Sequence, residues 1–297
     1  MPPVRIVSLL PSATEILFAV GAGDGVGGVT FECDYPEEAR QRTIVSTTTL
    51  GPGLTPAEID AEVRARMAAG EDLYSLDEGA LRTLDPDLVV TQDLCAVCAV
   101  AVSDVDAALG HLGCRADVRT LDPMTLDDVL ASIADVGRAT GREGEAGRLV
   151  AHLRARLDGV AASVQGRDRP DVLVLEWTDP PFCAGHWVPD MVEVAGGRPL
   201  LSRPGARSHQ IGWDQVASAG ADLVGVAPCG FRLEGARDLA RDLVGAGRLP
   251  PGVPVWAVDA DAAFVRPGPR LVDGVESLAA ILHPGCVPLD GSLAARL

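Results

Sequence analysis

The sequence predicts an α/β protein of two lobes, each a parallel sheet covered by helices, with one long rigid helix joining them. Three observations predict it. Short apolar runs alternate with segments of helical periodicity along the chain, the order that builds βαβ units. The series runs twice, and PDLVVTQDLC in the first half matches ADLVGVAPC in the second: an acidic residue (Asp87, Asp222), an apolar strand, then a cysteine (Cys95, Cys229). The match is open to two readings, an internal repeat or the chance likeness of stereotyped parallel strands. Between the two series, Leu149, Val150, Leu153, Leu157 and Val160 fall at helical spacing. A helix from Glu143 to Gln165 would run about 35 Å at 1.5 Å per residue, a strut rather than a Gly/Ser hinge. The expected divisions are a lobe over 1–141, the connecting helix over 142–168 and a lobe over 169–297.

The elements follow in order. VRIVSLL is a strand, Pro11 and Ser12 a turn, ATEILFAVG a helix stopped by Gly21, and GVGGVT a strand. SLDEGALRTL is helical, and Pro86 hands over to strand DLVVTQ. Helix DVDAALGHLG, strand DVRTL and helix MTLDDVLASIADVGRAT complete the first series. The second opens with strand DVLVLEW, followed by helices VPDMVEVAGG and WDQVASA. Strand DLVGVA, helix EGARDLARDLV, strand VPVWAV and helix PRLVDGVESLAAIL follow.

Composition narrows the function. Hydrophobic residues make up 47%, a globular share. The formal net charge of -17 repels phosphate backbones and anionic lipid, so nucleic-acid and membrane-surface partners are set aside. No apolar stretch reaches membrane-spanning length. The opening MPPVRIVSLLPSATE reads as a first strand rather than a secretory signal, so the chain as written is expected in the cytoplasm unless its true start lies upstream. The seven cysteines are then expected as thiols.

In open parallel sheets ligands bind beyond the carboxyl ends of the strands. That rim collects Phe31, Cys33 and Tyr35; Gln92, Asp93, Cys95 and Cys98; Glu176, Trp177, Phe182, Cys183, His186 and Trp187; Cys229 and Phe231; Phe264 and Arg266. His209 lies in a loop able to overhang it. With aromatics at only 4%, this concentration is informative. A free cysteine is most often a small buried hydrophobe, but Cys33, Cys95, Cys98 and Cys229 could close on one tetrahedral metal ion or iron–sulfur cluster. A redox couple at Cys95 and Cys98 is disfavoured, because nothing basic flanks Cys95 and Asp93 would raise its pKa. His186 reads equally as a metal ligand or a loop-packing residue. Glu176 and Asp93 would be the acid and base of an enzyme, but no second cofactor motif accompanies them.

RIVSLLPSATEILFAVGAGDGVGGVT resembles the opening of class III periplasmic-type substrate-binding proteins, which carry siderophores, haem and cobalamin to ABC importers. TFECDYPEEA, LEWTDPPFCAGHWVPDMVEVAGG and AFVRPGPRLVDGVESLAAIL resemble its cobalamin-binding branch, and the cysteines resemble a signal-less subset. The resemblance implies two α/β lobes on one long helix, a non-enzymatic role, and a corrinoid held in the cleft between the lobes. It implies contacts from Tyr35, Phe182, Phe264 and Arg266. Haem and siderophores are the alternative ligands. It also implies docking onto an importer permease through one acidic residue per lobe, Glu78 and Asp214, whose positions at helix starts also suit the helix dipole. The chain is expected to be a monomer.

Overall fold

The structure, a computed structural model, describes residues 4–92, 102–112 and 115–297. The chain folds as two compact units, one of Met1–Asp122 with Leu130–Val150 and another of Pro123–Val129 with Ala151–Leu297. No described helix is long and apolar enough to cross a membrane.

The first unit is built on β1 (Ile6–Ser8), α1 (Pro11–Ala19), β2 (Val26–Thr30), β3 (Thr43–Thr48), α2 (Pro56–Ala69), β4 (Tyr74–Leu76), α3 (Glu78–Leu84), β5 (Leu88–Thr91), α4 (Val102–Leu112) and β6 (Asp117–Thr120). The sheet order is β4-β3-β2-β1-β5-β6, all neighbours parallel except β3 with β4. Val7, Leu9, Val45, Leu81, Val89, Val105 and Leu109 form one core cluster. The expected turn at Pro11 and Ser12 is corrected: both lie in α1, with Pro11 in its first turn. Proline fits there because its missing N–H would have had no helical partner.

Helix α5 (Leu126–Thr140) is followed by α6 (Glu143–Val164), the predicted long helix. The boundary between the units falls inside α6, after Val150.

The second unit continues with β7 (Asp171–Thr178), β8 (Pro181–Cys183), α7 (Val188–Val194), β9 (Arg198–Pro199), β10 (His209–Gln210), α8 (Trp213–Ser218), β11 (Leu223–Val226), α9 (Leu233–Gly245), β12 (Val255–Val258), α10 (Ala260–Ala263), α11 (Leu271–Leu282) and β13 (Ala294–Arg296). The sheet runs β10-β8-β7-β11-β12-β13, with β9 beside β7. Its centre β7-β11-β12 is parallel, while β8, β10 and β13 join it antiparallel. Arg156 of α6 donates to Glu276 Oε1 at 2.9 Å and to Asp273 Oδ1 at 2.6 Å, fastening the second half of α6 to α11.

The sequence match between the halves has a structural counterpart. Asp87 Oδ2 accepts the Arg5 backbone N–H at 2.9 Å, and the Asp87 N–H returns to Arg5 O at 2.8 Å. In the second unit Asp222 Oδ2 accepts the Asp171 N–H at 2.8 Å, and the Asp222 N–H returns to Asp171 O at 2.8 Å. The same carboxylate clip therefore pins the start of one parallel strand to its neighbour in both units, β5 to β1 and β11 to β7, which favours the internal repeat.

Candidate functional site

The carboxyl rim of the first unit exposes two aromatics. Phe31, just past β2, is 40% exposed, and Tyr35 is 48% exposed. Tyr35 borders a cavity of about 520 Å³ lined also by Glu15, Phe18 and Arg42. The Arg42 guanidinium lies 5.6 Å from the centre of the Phe18 ring and donates to Gly23 O at 3.2 Å. Gln92, directly after β5, is buried. Asp93, Cys95, Cys98 and Cys114 lie outside the described residues.

Cys33 departs from expectation. It is 3% exposed, and its Sγ lies 3.0 Å from Thr14 Oγ1, which donates to Ser8 Oγ at 2.8 Å; Ser8 Oγ donates onward to Leu10 O at 3.2 Å. One direction uses each hydroxyl proton once: the Cys33 S–H gives to Thr14, Thr14 to Ser8, Ser8 to the backbone. Here Cys33 is a buried thiol in a hydrogen-bond chain, not a rim ligand. Cys229 is exposed. Among the described residues, no group of three or more His, Cys, Asp or Glu side chains is placed to hold a metal ion.

The rim of the second unit is built around the end of β7. Glu176 and Trp177 are half-buried. Glu176 O accepts the Cys229 N–H at 3.0 Å, and Glu176 Oε2 accepts the Gly185 N–H at 3.3 Å. Trp177 stands opposite Phe182 in the β7–β8 ladder and donates from Nε1 to Asp179 O at 3.2 Å. Its ring lies 6.1 Å from that of Phe231, tilted by 59°. Phe182 is half-buried, and His209 is exposed on the edge strand β10. Cys183 is buried, and burial pushes its thiol up to about 11, against a hydrogen bond with Ser202 and with a further push from Glu176.

His186 adopts φ 53°, the left-handed region that non-glycine residues rarely occupy. Its backbone is held from both sides, its N–H giving to Ala206 O at 2.5 Å and its carbonyl accepting from Gly205 N at 3.1 Å. Burial, with a smaller contribution from the Arg207 charge, lowers its pKa and favours the neutral imidazole.

Two predicted ligand contacts are corrected. Phe264 is 1% exposed and Trp187 is 6% exposed. Trp187 Nε1 donates to Phe264 O at 2.7 Å, so the pair is core packing with its one polar atom satisfied. Arg266 is the counter-ion of Asp261, at 3.8 Å with both side chains largely shielded. Phe231 carries the least sequence signal of the rim residues; its place after the continuous apolar run of β11 puts it at the rim but does not tell which way its ring faces. Glu78 and Asp214 occupy the first turns of α3 and α8 and are exposed.

The rim of the second unit therefore offers aromatic faces, an amide-ordering carboxylate and a half-buried imidazole, groups suited to contact with a flat, largely apolar molecule. Known proteins resemble this chain along most of its length. A family model described as periplasmic binding protein matches residues 6–246. The chain is 27% identical over 289 residues to the uncharacterized ABC transporter substrate-binding lipoprotein YvrC of Bacillus subtilis, covering 95% of this chain and 81% of that one. It is 25% identical over 291 residues to the cobalamin-binding protein of Halobacterium salinarum, covering 95% and 70%. Among solved structures, a periplasmic heme-binding protein from Pseudomonas aeruginosa superposes with TM-score 0.72 at 21% identity, over 99% of this chain and 98% of that one. The periplasmic vitamin B12-binding protein BtuF of Vibrio cholerae superposes with TM-score 0.66 at 21% identity, over 95% and 97%. With its two α/β units, its parallel-centred sheets and a family match across most of its length, the chain belongs to the periplasmic binding protein family.

Proposed function

We propose that this protein binds a cobalt corrinoid, cobalamin or a close relative, without chemically altering it, and presents it to an ABC importer. The observation that carries the reading is the aromatic pair Trp177–Phe231 at the carboxyl rim of the second unit. A corrinoid is a large flat ring fringed with amides, and tilted aromatic walls with nearby carboxylates match both its faces and its fringe. Exposed Phe31 and Tyr35 supply the same kind of surface on the first unit. The cobalamin-binding relative, similar along 95% of this chain, supports a corrinoid as the first ligand to test, with haem and siderophores as the alternatives.

Delivery would use Glu78 and Asp214, both exposed and each in the first turn of its helix, against basic residues of a permease. The test is a visible-absorbance titration of the purified chain with cyanocobalamin, with hemin in a parallel arm. A saturable corrinoid signal supports the reading. Saturation by hemin alone redirects it to haem, and silence in both arms removes it.

A further inference from the structure

We infer that Phe231 is a ligand-contacting wall of the second unit and that Asp261 is the residue that positions it, a role the buried Phe264 cannot fill. The inference rests on the corrinoid reading for its ligand and on independent geometry for its positioning half.

The loop after β11 is fastened at three points. The Cys229 N–H gives to Glu176 O at 3.0 Å, tying the loop to the end of β7. The Gly230 N–H gives to Asp261 Oδ1 at 3.1 Å, tying it to α10. The Phe231 N–H gives back to Pro228 O at 3.1 Å, closing the turn. Gly230 itself takes φ 82°, a conformation a side chain would strain, so the turn can present its amide to Asp261.

The Phe231 ring is placed as firmly as its backbone. A Cβ at Gly235, on the first turn of α9, would lie 2.9 Å from Phe231 Cδ1, so the glycine is the space the ring occupies. The ring also lies 6.1 Å from that of Trp177, itself anchored by Nε1 to Asp179 O. Both rings are half-buried, so each keeps a free portion. At a 59° tilt they form an angled notch rather than a closed stack. Such a notch takes a flat group against one ring and its methyl-bearing edge against the other. A wall held this way loses little freedom on binding, which is how preorganisation raises affinity.

Asp261 links this wall to Arg266, whose guanidinium lies 3.8 Å from Asp261 Oδ2. The arginine expected at the ligand thus acts through the carboxylate that orients the loop.

The experiment uses the full chain with cyanocobalamin as the probe, and near-ultraviolet circular dichroism of the unliganded protein as a second readout of the Trp177 surroundings. Phe231→Ala should weaken binding about tenfold or more, with Phe231→Tyr recovering most of it. Gly235→Val should displace the ring, alter the Trp177 signal and weaken binding while the melting temperature shows a folded protein. Asp261→Ala should do both, and Asp261→Asn, which keeps an acceptor for the Gly230 N–H, should recover most of each. The inference is overturned if Phe231→Ala binds as the wild type does, or if Asp261→Ala changes neither signal. If the wild type binds no tetrapyrrole at all, the corrinoid reading fails and the ligand-wall claim with it. The circular dichroism of Asp261→Ala then still decides whether Asp261 positions the loop.

Discussion

Trp177 can serve the site because its indole N–H is already satisfied by Asp179 O, which leaves the ring free to offer apolar surface. Truncating it to alanine should cost about 1.4–2.8 kcal/mol of binding, a loss of roughly tenfold to a hundredfold, read by titration. Phe264 is the contrast. Fully buried, it should behave as core: Phe264→Ala should destabilise the fold by about 3–5 kcal/mol, visible in denaturant unfolding before any binding is measured. The thiols divide the same way. Cys229 is exposed, whereas Cys33 and Cys183 are buried, and burial raises the Cys183 pKa. Brief alkylation of the native chain, mapped by peptide mass, should label Cys229 and spare Cys33 and Cys183. Rapid labelling of Cys33 would show that its chain through Thr14 does not hold it. The positions of Glu176 and Trp177 near the end of β7 are legible in the sequence because both follow the apolar run 172–175. The burial of Phe264 and Trp187 is not, since it depends on a hydrogen bond across 77 positions of sequence.

At the scale of elements, long periodic segments declare themselves and short ones do not. Strands such as β5 and β11 are continuous apolar runs, and α6 has its apolar stripe. The short strands β8, β9 and β10 have two or three residues each, too few for any period to show. Helix α2 buries only Val63 and so lacks an apolar stripe to read, although its start is written plainly. Thr55 Oγ1 accepts the Glu58 N–H, Glu58 Oε2 accepts the Thr55 N–H, and Pro56 follows the cap. Thr55→Ala should therefore cost about 1 kcal/mol of stability. The carboxylate clips give a pH test. Hydrogen bonds from Arg5 hold Asp87 down to about 2, below its ordinary 3.8. A lowered pKa means the stabilisation is present above 3.8 and is lost as pH falls toward 2. Asp190 has the opposite sign, since burial raises its carboxyl although the Leu126 N–H opposes this. Its ionisation therefore works against folding at neutral pH. Asp190→Asn should raise the melting temperature at pH 7, and the gain should vanish below the ordinary value of 3.8.

For the molecule as a whole, the two-unit architecture is legible because the βα series and the Asp-strand-Cys signature each occur twice. The clips at Asp87 and Asp222 give that repetition a physical basis. Holding a ligand and handing it on should be separable. Reversing the charges in Glu78→Arg with Asp214→Arg should leave the dissociation constant for cyanocobalamin unchanged while abolishing uptake through a reconstituted importer. A parallel loss of ligand affinity would mean that these exposed carboxylates serve the site itself. The central claim, that the ligand is a corrinoid, is tested most directly by isothermal titration calorimetry of the full chain with cobalamin, hemin and a ferric siderophore under one set of conditions. A corrinoid binder should give saturable heat with cobalamin at the lowest concentration of the three. Saturation by hemin or the siderophore with none by cobalamin would contradict it.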